Sequence, residues 1–153
     1  MEGQVSVHLP DLAATRALAA RLAPALRPGD SVLLEGPLGA GKSEFARALL
    51  RAAAGDATLE VPSPSFSLLQ SYDLPAGPTH HFDLYRLTGP AEVAELGWDE
   101  MRQGVVLVEW PDRLGPLAPP DALRVALTPG EGEEEREAVL SGWPAARIAQ
   151  VLA

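Results

Sequence analysis

The octapeptide GPLGAGKS, at residues 36–43, decides the fold of this chain. It matches the pattern G-x-x-x-x-G-K-[ST] at every fixed position. The apolar run SVLLE precedes it and an Ala- and Leu-rich segment follows, which predicts a buried strand, a glycine-rich loop and a helix. Backbone N–H groups of such a loop, and the start of its helix, bind phosphate oxygens. In this pattern Lys42 contacts the β- and γ-phosphates and the Ser43 hydroxyl binds Mg²⁺.

Lys42 is the only lysine in the chain, whereas eleven residues are arginine. A compositional bias explains the scarcity of lysine elsewhere, but the guanidinium of arginine does not replace a compact ammonium in this loop. GTPases usually read guanine with an Asn/Thr-Lys-x-Asp segment, which needs a second lysine. The LSGGQ-like signature of ABC-type ATPases is absent, and AAA-type modules are longer than this chain. The sequence therefore favours an adenine nucleotide.

Composition excludes several other classes of protein. The chain has 153 residues, no cysteine, and 21 acidic residues against 12 lysines and arginines, for a net charge of −9. Disulfide frameworks and thiolate metal sites are thereby excluded. Residues 1–4 do not resemble a signal peptide, and no apolar run reaches the roughly 20 residues of a membrane helix. We expect a cytoplasmic protein. We also expect that it does not bind nucleic acid by itself, because such binding is driven by positive charges that neutralise phosphates and this chain is acidic.

Hydrophobic patterning predicts an α/β fold. Strands are expected at residues 5–9, 31–35, 67–72, 79–85, 105–110, 123–128 and 136–140. Helices are expected from Pro10-Asp11 to about residue 22, with Asp11 as the N-cap, and at residues 42–54, 91–96, 98–102 and 145–152. We predict one domain over residues 1–153, with a P-loop NTPase-like, mostly parallel sheet flanked by helices and extended by antiparallel strands.

Two carboxylates are candidates for holding a metal beside the phosphate loop. Glu109 ends the apolar run VVLV, and Asp83 lies in HHFDLYR. A strand would place His81, Asp83 and Tyr85 on one face. The alternatives are a solvent-exposed strand end for Glu109 and a solvent-facing polar row for the other three. The His80-His81 pair does not predict a metal site, because neighbours on a strand point apart.

Three segments resemble one family of proteins. LLEGPLGAGKS, SPSFSLLQSYD with HHFDLYRL, and VLVEWP are similar in order and spacing to the small bacterial P-loop ATPases called TsaE or YjeE. Ser43 and Ser65 stand where that family commonly has Thr, and Phe66 where Tyr is frequent. The resemblance implies an ATPase that uses ATP and Mg²⁺. It implies that the protein acts with a TsaB–TsaD-like complex, which makes N6-threonylcarbamoyladenosine on tRNA next to the anticodon. It also implies that the protein contacts tRNA only indirectly, through those partners, and does not act at a membrane.

The resemblance also implies roles for individual residues. Metal ligation is expected of Ser43, Glu109 and Asp83, and catalysis of Lys42, Asp83 and Glu109. Either acid is a candidate for positioning the attacking water. Residues 63–67 would form a switch-like loop. The nucleotide would contact Asp11, Leu12, Leu38, Gly39, Ala40, Gly41, Lys42, Ser43, Trp110, Asp112 and Arg136. Two of these have other interpretations: Arg136 as an ion-pair partner of the acidic residues 133–135, and Asp112 as a helix cap.

Two other functions are compatible with a phosphate loop. One is a small-molecule P-loop kinase, although Arg102 and Arg113 form no clear arginine-bearing lid segment. The other is a non-catalytic module that senses ATP against ADP. Screening for phosphate transfer distinguishes the first, and measuring turnover with the partner complex distinguishes the second.

Overall fold

Seven strands form one sheet in the computed structural model, which describes residues 4–62 and 67–153. The strands are β1 (Val5–Leu9), β2 (Ser31–Glu35), β3 (Leu69–Leu74), β4 (Gly77–Asp83), β5 (Val105–Glu109), β6 (Leu123–Pro129) and β7 (Arg136–Ser141). Their order across the sheet is β1-β7-β6-β2-β5-β4-β3. The four central strands, β6, β2, β5 and β4, are parallel. β3 and β7 join them antiparallel, and β1 pairs antiparallel with β7. The predicted fold class is confirmed.

Helices cover both faces of this sheet. They are α1 (Leu12–Leu22), α2 (Lys42–Ala54), α3 (Pro90–Glu95), α4 (Trp98–Met101) and α5 (Ala145–Leu152). Asp11 caps α1, as predicted, because its side chain accepts the Ala14 N–H at 2.9 Å. Two 3-10 helices, Ala23–Ala25 and Pro111–Leu117, were not predicted from the sequence.

The strongly apolar strand β5 separates two hydrophobic clusters. Leu107 packs with α2 and α5 residues on one face of the sheet, while Val106 and Val108 pack with Trp98 on the other. Since side chains alternate along a strand, Glu109 points to the same face as Leu107, which is the face covered by α2. The sheet therefore directs this carboxylate toward the start of the phosphate-loop helix.

The β3–β4 hairpin is displaced from its predicted position. β3 begins and ends two residues later than predicted, and β4 ends at Asp83 rather than at residue 85. The cause at the second boundary is local. The Asp83 carboxylate accepts the backbone N–H of Tyr85 at 3.1 Å, which turns the chain away from the sheet. Tyr85 thus does not share a strand face with His81 and Asp83, and this part of the prediction is wrong.

Within residues 4–62 and 67–153, no helix is both long and apolar enough to cross a membrane.

Candidate nucleotide site

The phosphate loop joins β2 to α2 with backbone geometry that requires glycine. Gly36 has a φ of +146°, and a Cβ at this position would run into the carbonyl oxygen of Leu127 on β6. Gly41 has a φ of +101° and is the N-cap of α2, immediately before Lys42. Because L side chains rarely adopt these conformations, the two glycines allow the chain to leave the sheet and enter the helix in a tight loop. The first turn of α2 then carries Lys42 and Ser43.

Lys42 lies beneath this loop with only 6% of its surface exposed. Its ammonium donates hydrogen bonds to the backbone carbonyls of Gly36 and Pro37, the latter at 3.3 Å. The burial of the side chain lowers the pKa of Lys42, and the negative charges of nearby Glu109 and Asp83 oppose that shift. The buried ammonium of Lys42 therefore faces the carboxylates at the end of the sheet.

Glu109 and Asp83 end neighbouring parallel strands and stand opposite each other in register. Only 2% of Glu109 and 8% of Asp83 is exposed, so the interpretations based on solvent exposure are wrong for these two carboxylates. Oε1 of Glu109 accepts a hydrogen bond of 3.0 Å from the Ser43 hydroxyl. The structure thus brings the predicted metal-binding hydroxyl and both predicted carboxylates to one edge of the sheet, beside the phosphate loop.

His81 joins this group, although its sequence pattern predicted no role for it at the site. Its Nε2 lies 2.7 Å from Oε2 of Glu109, and only 2% of the residue is exposed. In the described part of the chain, no cluster of three or more His, Cys, Asp or Glu side chains could hold a metal ion by itself. The alternation of His81 with Asp83 was visible in the sequence. The contact also depends on the register between β4 and β5, for which the sequence holds no local signal.

Two aromatic rings form the rim of the site. Trp110 follows β5 directly and adopts a left-handed conformation with a φ of 60°, which is strained for a side chain of this size. Its ring lies over the Lys42 ammonium, 3.6 Å from Nζ to the ring centroid. Tyr85 packs on Trp110 with 4.8 Å between ring centroids and is 46% exposed. The turn that ends β4 brings this tyrosine to the rim.

Arg136, at the start of β7, holds the phosphate loop by hydrogen bonds to its backbone. Its guanidinium donates to the backbone carbonyl of Ala40 at 2.9 Å and to that of Gly39 at 3.1 Å. It also bonds the backbone carbonyls of Glu133 and Glu135. The acidic turn therefore holds Arg136 through main-chain oxygens rather than through the ion pairs considered from the sequence. The result is a direct link between β7 and the phosphate loop.

Most of the predicted residues surround one cavity of about 390 Å³. Its lining consists of Leu38, Gly39, Ala40, Gly41, Lys42, Ser43, Glu44, Asp83, Tyr85, Glu109, Trp110 and Arg136. A smaller cavity of about 180 Å³ shares Gly41, Glu44 and Arg136 with it, and adds Leu12 from α1. Thr15, Glu44 and Glu134 also line this smaller space and were not predicted.

Two of the residues predicted to contact the nucleotide, Asp112 and Asp11, line neither of these cavities. Asp112 lines a third cavity, of about 350 Å³, which shares Trp110 with the main one. It lies inside the 3-10 helix and pairs with Arg113 instead of acting as the helix cap. The side chain of Asp11 caps α1. Of the predicted switch-like loop, residues 63–66 lie outside the described part of the chain.

Comparisons with known proteins agree on one family. The sequence model described as "Threonylcarbamoyl adenosine biosynthesis protein TsaE" matches residues 9–138. The Rickettsia felis protein named tRNA threonylcarbamoyladenosine biosynthesis protein TsaE is 42% identical over 114 residues, covering 74% of this chain. That alignment spans 66% of the Rickettsia protein, slightly less than two thirds of its length. The Nostoc protein of the same name is 35% identical over 144 residues, covering 90% of this chain and 86% of its own.

A solved structure has a similar fold. The crystal structure of Bacillus subtilis YdiB superposes with a TM-score of 0.75 and 28% sequence identity, covering 98% of this chain and 93% of that chain. The Bacillus subtilis protein named tRNA threonylcarbamoyladenosine biosynthesis protein TsaE is 36% identical over 125 residues, covering 80% of this chain and 76% of its own. With its phosphate loop, its acidic strand ends and these matches, the chain belongs to the TsaE family.

Proposed function

We propose that this chain is a single-domain, Mg²⁺-dependent ATPase that supports a TsaB–TsaD-like complex in forming N6-threonylcarbamoyladenosine on tRNA. The observation that carries the proposal is the hydrogen bond between Ser43 and Glu109, next to the buried ammonium of Lys42. A hydroxyl at the start of the loop helix and a carboxylate at a strand end are the two protein groups that hold Mg²⁺ in P-loop nucleotide sites. The names of the relatives supply the pathway.

The cavities have the size and chemistry for an adenine nucleotide. The space of about 390 Å³ is lined by the phosphate loop from Leu38 to Ser43, where backbone N–H groups and the Lys42 ammonium offer donors to phosphate oxygens. The smaller cavity lies beyond Gly41 and is lined partly by Leu12, which suits the base. Arg136 lines both spaces and holds the loop between them.

The donor set fits Mg²⁺ in the presence of phosphates. This ion is usually held by one or two carboxylates together with substrate phosphates and water, so it needs no cluster of protein ligands. Ser43 and Glu109 would hold it, with Asp83 beside them. Held there, the metal would neutralise charge that develops on the phosphate oxygens during transfer. Glu109 or Asp83 accepts a proton from, or orients, the attacking water at this edge of the sheet.

A protein partner suits the surface better than tRNA does. Leu38 and Tyr85 are exposed by 69% and 46% at the rim of the site, where they offer apolar contacts to a partner. The net charge of −9 opposes binding to phosphodiester backbones. The TsaB–TsaD-like complex would therefore contact tRNA, and this chain would supply ATP hydrolysis.

The experiment that tests the proposal measures ATP turnover by the chain alone and with the TsaB–TsaD pair, each with Mg²⁺ and with EDTA. We expect weak turnover by the chain alone, a clear increase with the pair, and loss of both in EDTA. Phosphate transfer to a metabolite instead of water would identify a small-molecule kinase. Nucleotide binding without turnover, even with the pair, would identify a switch module.

A further inference from the structure

Packing alone does not explain why the polar side chains of His81 and Glu109 are buried together. Both side chains are 3% exposed or less, in a position where the sheet could have carried apolar residues. Burying polar groups of this kind is unfavourable unless their hydrogen bonds are satisfied. The 2.7 Å distance between His81 Nε2 and Glu109 Oε2 satisfies one oxygen of the carboxylate. The Ser43 hydroxyl, at 3.0 Å, satisfies the other.

The two contacts together fix the orientation of the carboxylate. An ionised carboxylate only accepts hydrogen bonds, so we assign the proton between the two groups to Nε2 of His81. The other ring nitrogen, Nδ1, is buried without a hydrogen-bond partner in the described part of the chain, which also favours the Nε2–H tautomer. With Oε2 held by the imidazole, Oε1 faces Ser43 and the phosphate cavity.

Two charges near Glu109 act in opposite directions, because the Lys42 ammonium attracts its carboxylate and Asp83 repels it. Asp83 stands opposite Glu109 in register on the neighbouring strand and carries the same charge. The Glu109 side chain has three rotatable bonds. Once Oε2 has lost its contact with His81, the carboxylate can therefore rotate away from the negative charge of Asp83. An N–H donor at the His81 position opposes that rotation.

We propose that His81 is a positioning residue, which holds the Glu109 carboxylate so that Oε1 and the Ser43 hydroxyl form a ready Mg²⁺ site. The proposal rests on the proposed function, because the two oxygens are those assigned to the metal. Donors behind a metal ligand typically change metal affinity or activity by about 10- to 100-fold when removed. His81 acts through Glu109 and does not contact the nucleotide cavity.

The chain provides a matched control in the adjacent histidine. His80 lies on the same strand, but its side chain points to the other face and its Nδ1 lies 2.7 Å from the Ser71 hydroxyl. His80→Leu therefore makes the same chemical change one residue away from the proposed contact. His81→Leu removes the donor, and His81→Gln restores an N–H close to the position of Nε2.

The first readout is binding of ADP by calorimetry, with Mg²⁺ and with EDTA. We expect His81→Leu to weaken the Mg²⁺-dependent part of the affinity by about tenfold or more, while binding in EDTA stays as in the unchanged chain. His81→Gln should recover most of the loss, and His80→Leu should behave as the unchanged chain. Equal Mg²⁺ dependence in His81→Leu and the unchanged chain would overturn the proposal, provided that both are folded by circular dichroism.

The second readout needs no nucleotide and is independent of folding defects in the variants. Two-bond ¹⁵N–¹H correlation spectra of the unliganded chain should show His81 protonated at Nε2, and an Nε2 without a proton would overturn the proposal. If the unchanged chain neither binds nor hydrolyses ATP, the proposed function fails. If the unchanged chain binds and hydrolyses ATP and His81→Leu has the same Mg²⁺-dependent affinity, only the positioning role of His81 fails. In a Glu109→Ala background, His81→Leu should cause no further loss, since coupled residues are not additive.

Discussion

The Nζ of Lys42 lies 3.6 Å from the centroid of the Trp110 ring. A cation over an indole face gains about 0.5–2 kcal/mol, the larger value applying where water is excluded. Trp110 adopts a left-handed backbone conformation, which costs roughly 1–2 kcal/mol for an L residue. The two values are similar, so the contact with Lys42, together with the packing of Tyr85, offsets the strain at Trp110. The ring and the ammonium hold each other in place.

Replacing Lys42 by Arg keeps the charge but should impair the site. The ammonium fits between the Trp110 ring and the loop carbonyls of Gly36 and Pro37, and the planar guanidinium is larger and spreads its donors differently. We expect ADP affinity and ATP turnover to fall about 10- to 100-fold, corresponding to one charge-assisted hydrogen bond. Calorimetry and a phosphate-release assay measure the two quantities.

The reverse exchange on the same helix is the control for this prediction. Arg51→Lys, at the other end of α2, changes a residue whose Nε bonds the backbone carbonyl of Leu59 at 2.9 Å. It should leave ADP affinity unchanged. Normal turnover by Lys42→Arg would contradict the role assigned to the ammonium.

The buried Lys42 also predicts a pH dependence of stability. Burial lowers its pKa in the folded protein, whereas the unfolded chain retains the ordinary value of about 10.4. Between the two values the unfolded state binds more protons, so this group raises the free energy of unfolding as pH increases. Urea unfolding between pH 7 and pH 10 should therefore show the unchanged chain gaining stability relative to Lys42→Met. A difference that stays constant with pH would contradict this prediction.

The sequence was sufficient for the parts of the site that lie on one local motif. GPLGAGKS predicted the loop, and the limits of α2 agree with those expected, because glycine conformations and helix signals act over a few residues. The run VVLV predicted a strand, and β5 is buried along its whole length, since a strand that is apolar on both faces must be covered on both faces. Glu109 at its end followed from the same argument.

The sequence was not sufficient where two distant segments meet. The pairing of β4 with β5 decides that His81 reaches Glu109, and no local pattern sets this register. The backbone contacts of Arg136 with Gly39 and Ala40 join residues nearly a hundred positions apart. The position of Tyr85 was wrong because a side-chain turn at Asp83 ends the strand earlier than hydrophobic patterning indicates.

Removing the guanidinium of Arg136 should loosen the phosphate loop. Its bonds to the Ala40 and Gly39 carbonyls lie at 2.9 and 3.1 Å and join β7 to the loop. We expect Arg136→Gln to reduce the free energy of unfolding by about 1.5–3 kcal/mol, the usual contribution of a hydrogen bond to a charged group. ADP affinity should fall about tenfold, or about 1.4 kcal/mol, because the loop is no longer held in its binding conformation.

The control for this change is an arginine that pairs with a side chain on a neighbouring strand. Arg124 bonds the carboxylate of Glu35 at 3.0 Å and is 44% exposed, so Arg124→Gln should change stability by less than about 1 kcal/mol. Urea unfolding and calorimetry apply to both variants. Equal ADP affinity in the two would show that Arg136 does not support the loop.

Glu109→Ala should separate binding from turnover. The phosphate donors of the loop and Lys42 remain in place, so ATP measured in EDTA should bind within about threefold of the unchanged chain. Turnover should fall by about 100-fold or more, because the proposed Mg²⁺ ligand is lost and the metal would neutralise charge on the phosphate oxygens. Glu35→Ala, at the end of neighbouring β2, makes the same change beside the site and should retain turnover. Unchanged turnover by Glu109→Ala would count against its assignment to the metal.

The acidic composition predicts that the isolated chain does not hold tRNA. Its net charge of −9 places like charges opposite the phosphodiester backbone, and binding to phosphates requires cations that displace counterions. We expect a Kd for tRNA weaker than about 1 μM at physiological salt. Fluorescence anisotropy with labelled tRNA measures this value, and the TsaB–TsaD pair under identical conditions is the control. Sub-micromolar binding by the chain alone would mean that it contacts tRNA directly, which would contradict the division of roles proposed for the complex.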